Sequence, residues 1–134
     1  MKIPKIIYSD KILNRLSWFM KIGGITLWPK IILREKYRDN KWYHLLNEKI
    51  IRHESIHIKQ QGELLVLFFF PLYLIEWLIR IPLCFSFFRA YQNISFEREA
   101  KLNENDLNYL DNRKKYAFLK YIILKKSKRS NKNN

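Results

Sequence analysis

A chain of 134 residues and 16.5 kDa is about the size of one domain, which excludes a two-domain enzyme carrying a separate cofactor module. Apolar residues reach 48% and aromatics 16%, too many for a disordered chain, while 26 Lys and Arg against 12 Asp and Glu give a charge of +14 that calls for an anionic partner, lipid headgroups or nucleic acid. Cys84 alone cannot build a disulfide framework or a multi-cysteine metal site, and three glycines, two of them adjacent, leave no phosphate cradle.

In chain order, residues 1–8 lack both a sustained apolar core and a small-residue cleavage site, so no cleavable signal peptide is expected. From Asp10 as N-cap, Ile12, Leu13, Leu16, Phe19 and Met20 recur at helical spacing until Gly23-Gly24. The β-branched stretch Ile25 to Leu33 predicts one edge strand, since Pro29 cannot donate to a ladder, and the charged run from Arg34 to Lys41 predicts a turn. Trp42 to Gln61, free of Gly and Pro, predicts a long helix capped by Asp39 or Asn40. An apolar segment from Leu64 to Phe88 follows. Asn93 or Ser95 predicts the start of a helix through Asp106, and Asp111 the cap of a last helix carrying Tyr116, Phe118, Leu119, Tyr121, Ile122 and Ile123. The expected organisation is a single domain over residues 1–124 with a basic, disordered tail at 125–134.

The chemistry concentrates in His53-Glu54-Ser55-Ile56-His57, inside the long predicted helix. Residues four apart lie one turn up the same face, about 5.4 Å along the axis, so two imidazoles converge on one ion. Glu54 projects beside them, where its carboxylate reaches a metal-bound water and serves as general base. Two histidines are too few for a catalytic zinc, which takes three protein ligands. A metzincin extension needs Gly at 60 and His at 63, where Gln60 and Glu63 stand, and Glu63 falls on another face of the helix. Glu97 and Glu99 offer better acids on a separate helix. Glu99 is favoured, with Glu97 the alternative, because Asn103 lies one turn beyond Glu99 and could accept the outer ring N–H of a ligand histidine.

The pattern of His53-Glu54, His57 and, forty residues on, Glu97, Glu99 and Ala100 resembles the gluzincin arrangement of zinc metallopeptidases, in which a downstream helix supplies a Glu ligand. It is similar to the Glu-x-Glu-Ala-Asp signature of membrane-embedded zinc peptidases, with Lys101 in place of the Asp, and Lys59 stands where many zincins have an apolar residue. The resemblance covers roughly residues 23–107 and extends to small bacterial proteins of zinc-protease type. It implies a minimal zincin-like domain, α+β and mostly helical, with a small edge sheet that binds an extended peptide by strand addition.

The segment 64–88 carries only Glu76 and Arg80 as charges, four apart and able to pair, while Pro71 and Pro82 are expected to kink or end its helix. Its aromatics and flanking basic residues predict a span or an interfacial segment, with a core hairpin as the rival. The reading is a zinc-dependent peptidase (Zn2+ on His53, His57 and Glu99, base Glu54) acting on a peptide or protein at the cytoplasmic face of an anionic membrane. Tyr91, Tyr109 and Arg113 are candidates for stabilising the oxyanion. The rivals are a nucleic-acid-binding protein using Arg113-Lys114-Lys115 and the basic tail, which shows no binding motif, and a non-catalytic membrane scaffold with a structural metal.

Overall fold

The isoleucine-rich stretches near the front of the chain form the sheet in this computed structural model, which describes residues 4–16, 22–38 and 44–123. β1 (Lys5–Tyr8) runs parallel to β3 (Lys30–Leu33), and β2 (Gly24–Leu27) runs antiparallel to β3, in the order β1-β3-β2. The single strand expected over 25–33 is therefore a hairpin. Trp28 and Pro29 form its turn through a cis peptide, because a residue without an N–H fits the turn better than the ladder. β2 is the edge strand beside the candidate site; β1, unread in the sequence, is the other edge.

α1 (Asp10–Leu16) begins after Ser9, whose hydroxyl accepts from the Ile12 N–H, so Ser9 rather than Asp10 caps it. Phe19, Met20 and the proposed caps Asp39 and Asn40 lie outside the described residues, as does the tail from 124 onward. A short 3₁₀ turn at Glu35–Tyr37 leads toward α2 (His44–Glu63), whose 20 residues extend about 30 Å. Ile50, Ile51 and Ile58 of α2 pack on Ile31, Leu33 and Tyr37, which seats the helix against the sheet.

The apolar segment is not one helix. Leu65 and Val66 take left-handed φ values of 53° and 57°, a conformation unfavourable for a β-branched residue, and Phe85 at 52° ends α3 (Phe69–Cys84). Sixteen residues extend about 24 Å, and no helix among the described residues is long and apolar enough to cross a membrane. Neither proline ends α3: Pro71 lies in its first turn, where an N–H would lack a partner, and Pro82 is carried within its last turn.

Ser86 caps α4 (Phe87–Asn93) by accepting from the Arg89 N–H. α5 (Ser95–Asn103) stops three residues short of the expected Asp106. In place of one helix capped by Asp111, the chain makes α6 (Tyr109–Asn112), with Asp111 inside it, and a 3₁₀ turn at Ala117–Tyr121. The interruption has a cause: Arg113 is extended, and its guanidinium reaches back to Glu63 and Glu99. A second apolar cluster, Phe69, Ile94, Phe96 and Phe118, joins α3, α5 and the closing turn. The fold is α+β and mostly helical.

Candidate metal centre

Helical periodicity brings His53 and His57 together as expected, with ring centroids 4.9 Å apart and their Nε2 atoms 3.2 Å apart. α5 crosses α2 at this point and presents Glu97, whose Oε2 lies 3.2 Å from His53 Nε2 and whose Oε1 lies 3.2 Å from His57 Nε2. The three side chains each offer a ligand atom, all within 4.8 Å of one another, and form a group that could hold a metal ion. The carboxylate here is Glu97 and not Glu99. Glu99 is fully buried on another side of α5, where it accepts from Arg113, Tyr109 and Gln60.

Asn103 does not support a histidine either; its amide donates to the Glu99 carbonyl and the Tyr121 hydroxyl. Two other residues do. Glu104 Oε2 lies 2.8 Å from His53 Nδ1, and Gln60 Oε1 lies 2.7 Å from His57 Nδ1. The Gln60 amide can face only one way, because its Nε2 donates to the Phe96 carbonyl and to Glu99 Oε2. Its oxygen must then accept from His57 Nδ1–H, which leaves Nε2 as the His57 nitrogen that faces Glu97 and His53. This is the arrangement that prepares imidazoles for a cation.

Two ring nitrogens facing each other at 3.2 Å need a proton or a metal between them. Burial opposes charge on His53, but hydrogen bonds to Glu104 and Glu97 outweigh it and push the imidazole up to about 10. His57 is also raised: burial opposes its charge and Glu97 overcomes that opposition. Glu97 is held well below the carboxylate range, since the two imidazoles outweigh its burial. Glu104 is lowered to about 2 against its own burial, by His53, Lys101 and Lys49. Without a metal, these shifts all favour protonated imidazoles around an ionised carboxylate.

Glu54 is buried next to this group but outside it. The Thr26 hydroxyl of β2 donates to Glu54 Oε2 at 2.7 Å, so the edge strand aims the carboxylate. Gly24 allows the approach: a Cβ there would lie 2.5 Å from a Leu33 methyl, 3.2 Å from the Ile32 carbonyl and 3.3 Å from Glu54 Oε1. Gln61 of α2 takes the outward groups of the strand, accepting from the Trp28 N–H and donating to the Thr26 carbonyl. The Trp28 N–H and the Thr26 carbonyl, which an added strand would need, are thus already engaged by α2.

Glu54, His57 and Glu97 form the floor of a cavity of about 200 Å³ walled by Phe69, Phe70, Tyr73 and Tyr91. The Tyr73 hydroxyl donates to Glu97 Oε1 at 2.7 Å, and burial together with the Glu97 charge keeps Tyr73 and Tyr91 protonated far above the usual phenol range. Tyr109 and Arg113 belong to the Glu99 cluster instead. Of the residues the sequence reading missed, Gln60 was findable, three residues beyond His57 on the same helix face. Glu104, Tyr73 and Thr26 carry no local signal, because each arrives from a different element. No protein-family model, curated protein or solved structure matches the chain.

Proposed function

We propose that the protein is a zinc-dependent peptidase of HExxH type working at a membrane surface. The observation that carries this reading is the convergence of His53, His57 and Glu97 beside the separately held carboxylate of Glu54. Two imidazoles and one carboxylate are the donor set of an open zinc site, and a zinc ion there would acidify water and polarise a peptide carbonyl. Glu54 is the general base: it takes the proton from the attacking water and hands it to the leaving amine. Tyr91, which lines the same cavity, is the better of the oxyanion candidates, since Tyr109 and Arg113 are engaged on Glu99. An anionic membrane suits both the charge of +14 and the outward apolar side of α3, where Leu72, Leu74, Ile75, Leu78, Ile79 and Leu83 are 44% to 64% exposed.

The test is Glu54→Gln in zinc-loaded protein, assayed on a peptide substrate found by screening. The amide keeps the shape but cannot accept the proton, so hydrolysis should fall by about 10²–10⁴ with zinc content unchanged. Cleavage at the parental rate, still stopped by a zinc chelator, would remove Glu54 from the mechanism. Stoichiometric zinc in a parent protein that cleaves nothing would favour a structural metal.

A further inference from the structure

α3 is built inside out. Its inward side holds Phe69, Tyr73, Glu76 and Arg80, spaced three and four apart, so both charges of residues 64–88 face the protein. Arg80 is buried and donates to Glu76 and to the Ile122 carbonyl, while Glu76 also accepts from the backbone N–H and hydroxyl of Ser95. With both charges satisfied internally, the outward side presents only apolar residues to its surroundings, the reverse of a helix facing water. Next to it, α4 exposes Phe87 and Phe88 beside an exposed Arg89. Apolar side chains flanked by basic ones match an anionic headgroup layer.

The same helix walls the cavity over the metal centre. Phe69, Phe70, Tyr73 and Trp77 line it, and Phe70 is itself 42% exposed, between the inward side of α3 and Leu74 on the outer one. Leu16, 44% exposed, also lines the cavity. Of its polar lining residues, Thr26, Glu54, His57, Gln61 and Glu97 are buried and Tyr73 and Tyr91 are half-buried. The lining therefore joins buried polar residues to the exposed apolar Leu16 and Phe70, and Phe70 continues onto the apolar outer side of α3.

We propose that the site takes its substrate from the membrane boundary: an apolar stretch of polypeptide lying in an anionic headgroup layer along α3, one large apolar side chain of which enters the cavity past Phe70. This rests on the peptidase reading and adds the class of substrate and its route. A charged peptide from bulk water would have to lay its charges against Phe70, Leu74 and Leu16 and lose their hydration there.

The test uses the full chain carrying Glu54→Gln, loaded with zinc so that it binds without turnover. The probes are a dansyl-labelled leucine- and alanine-rich 16-residue peptide in phosphatidylcholine–phosphatidylglycerol vesicles and a dansyl-labelled peptide of equal length made of serine, glutamine and glutamate in solution. Energy transfer from Trp77 in the cavity wall reports occupancy, with Trp77→Phe as the control for the other tryptophans. The apolar peptide should bind at least about tenfold more tightly than the polar one, and Phe70→Glu should remove that preference with zinc still bound. Equal binding of the two peptides, no binding of either, or full binding by Phe70→Glu would overturn the proposal. The peptidase reading fails separately: parent protein that binds the apolar peptide with zinc in place but never cuts it keeps the address and loses the reaction, whereas cutting of the polar peptide alone loses the address and keeps the reaction.

Discussion

Glu97 and Glu99 stand two residues apart on one short helix, both are buried, and they do different work. Glu97 faces α2 and meets two histidines and the Tyr73 hydroxyl. Glu99 faces the C-terminal segment and meets Arg113, which it shares with Glu63, together with Tyr109 and Gln60. The first carboxylate is surrounded by groups that could hold a metal ion in place of a proton; the second is locked to a guanidinium that never gives its proton up. What distinguishes them is supplied by chain segments far away in sequence. Gln60 links the two sides, accepting from His57 and donating to Glu99.

The largest effects should separate the two acids. Glu97→Ala takes away the carboxylate proposed as a ligand and should lower zinc affinity more than about 100-fold, beyond the 10–100-fold that loss of a supporting residue costs; it also leaves the two buried imidazoles without their shared acid, so the metal-free fold should lose stability as well. Glu99→Ala leaves a buried guanidinium with half its partners and should destabilise the fold by about 3–5 kcal/mol, read in a denaturant titration of metal-free protein. If Glu99→Ala abolished zinc binding at full stability while Glu97→Ala kept it, the comparison would be reversed. Gln60→Ala should fall between the two, weakening zinc by about 10–100-fold by releasing His57, with Gln60→Glu no rescue because the new carboxylate would face Glu99. Zinc titrations of the three variants on one competitor scale settle the order.

Proton competition sharpens the same contrast. His53 is raised from 6.5 to about 10, so its stabilising contribution is complete below about 6.5 and is lost as pH rises through about 10. Glu104 is lowered from 4.5 to about 2, so its contribution is present above about 4.5 and is lost as pH falls through about 2. Metal-free protein should therefore lose melting temperature at both ends, and zinc should remove the alkaline limb by displacing the proton. Calorimetry at pH 7 in buffers of different ionisation enthalpy should show at least one proton released per zinc; none released would contradict a protonated cluster. The smallest effect on the reaction is expected of Gly24→Ala, whose methyl pushes on the buried Leu33 side chain and meets the Ile32 carbonyl and Glu54. Hydrolysis should fall several-fold as the carboxylate is displaced, with zinc content unchanged.

The local half of this centre was legible in the sequence. His53, Glu54 and His57 depend only on the helical repeat, and the helix that carries them ends at Glu63, beside the predicted Gln61, while its predicted start at Trp42 lies outside the described residues. The choice between Glu97 and Glu99 failed for a physical reason: it relied on Asn103 sharing a helix face with Glu99, whereas the face is selected by Arg113, fourteen residues on, and by Gln60 on another helix. Glu104 is equally invisible, since its meeting with His53 depends on how α5 crosses α2. In the apolar segment, composition revealed the unusual surface, but only the left-handed turn at Leu65 and Val66 shows why it breaks before reaching the length of a span.

Anomalous diffraction at the zinc edge from crystals of the zinc-loaded protein tests the central claim most directly. The account predicts one peak per chain, about 2.0–2.2 Å from His53 Nε2, His57 Nε2 and an oxygen of Glu97, with Glu99 still on Arg113. A peak bound by Glu99, or no peak between the two histidines, would contradict it.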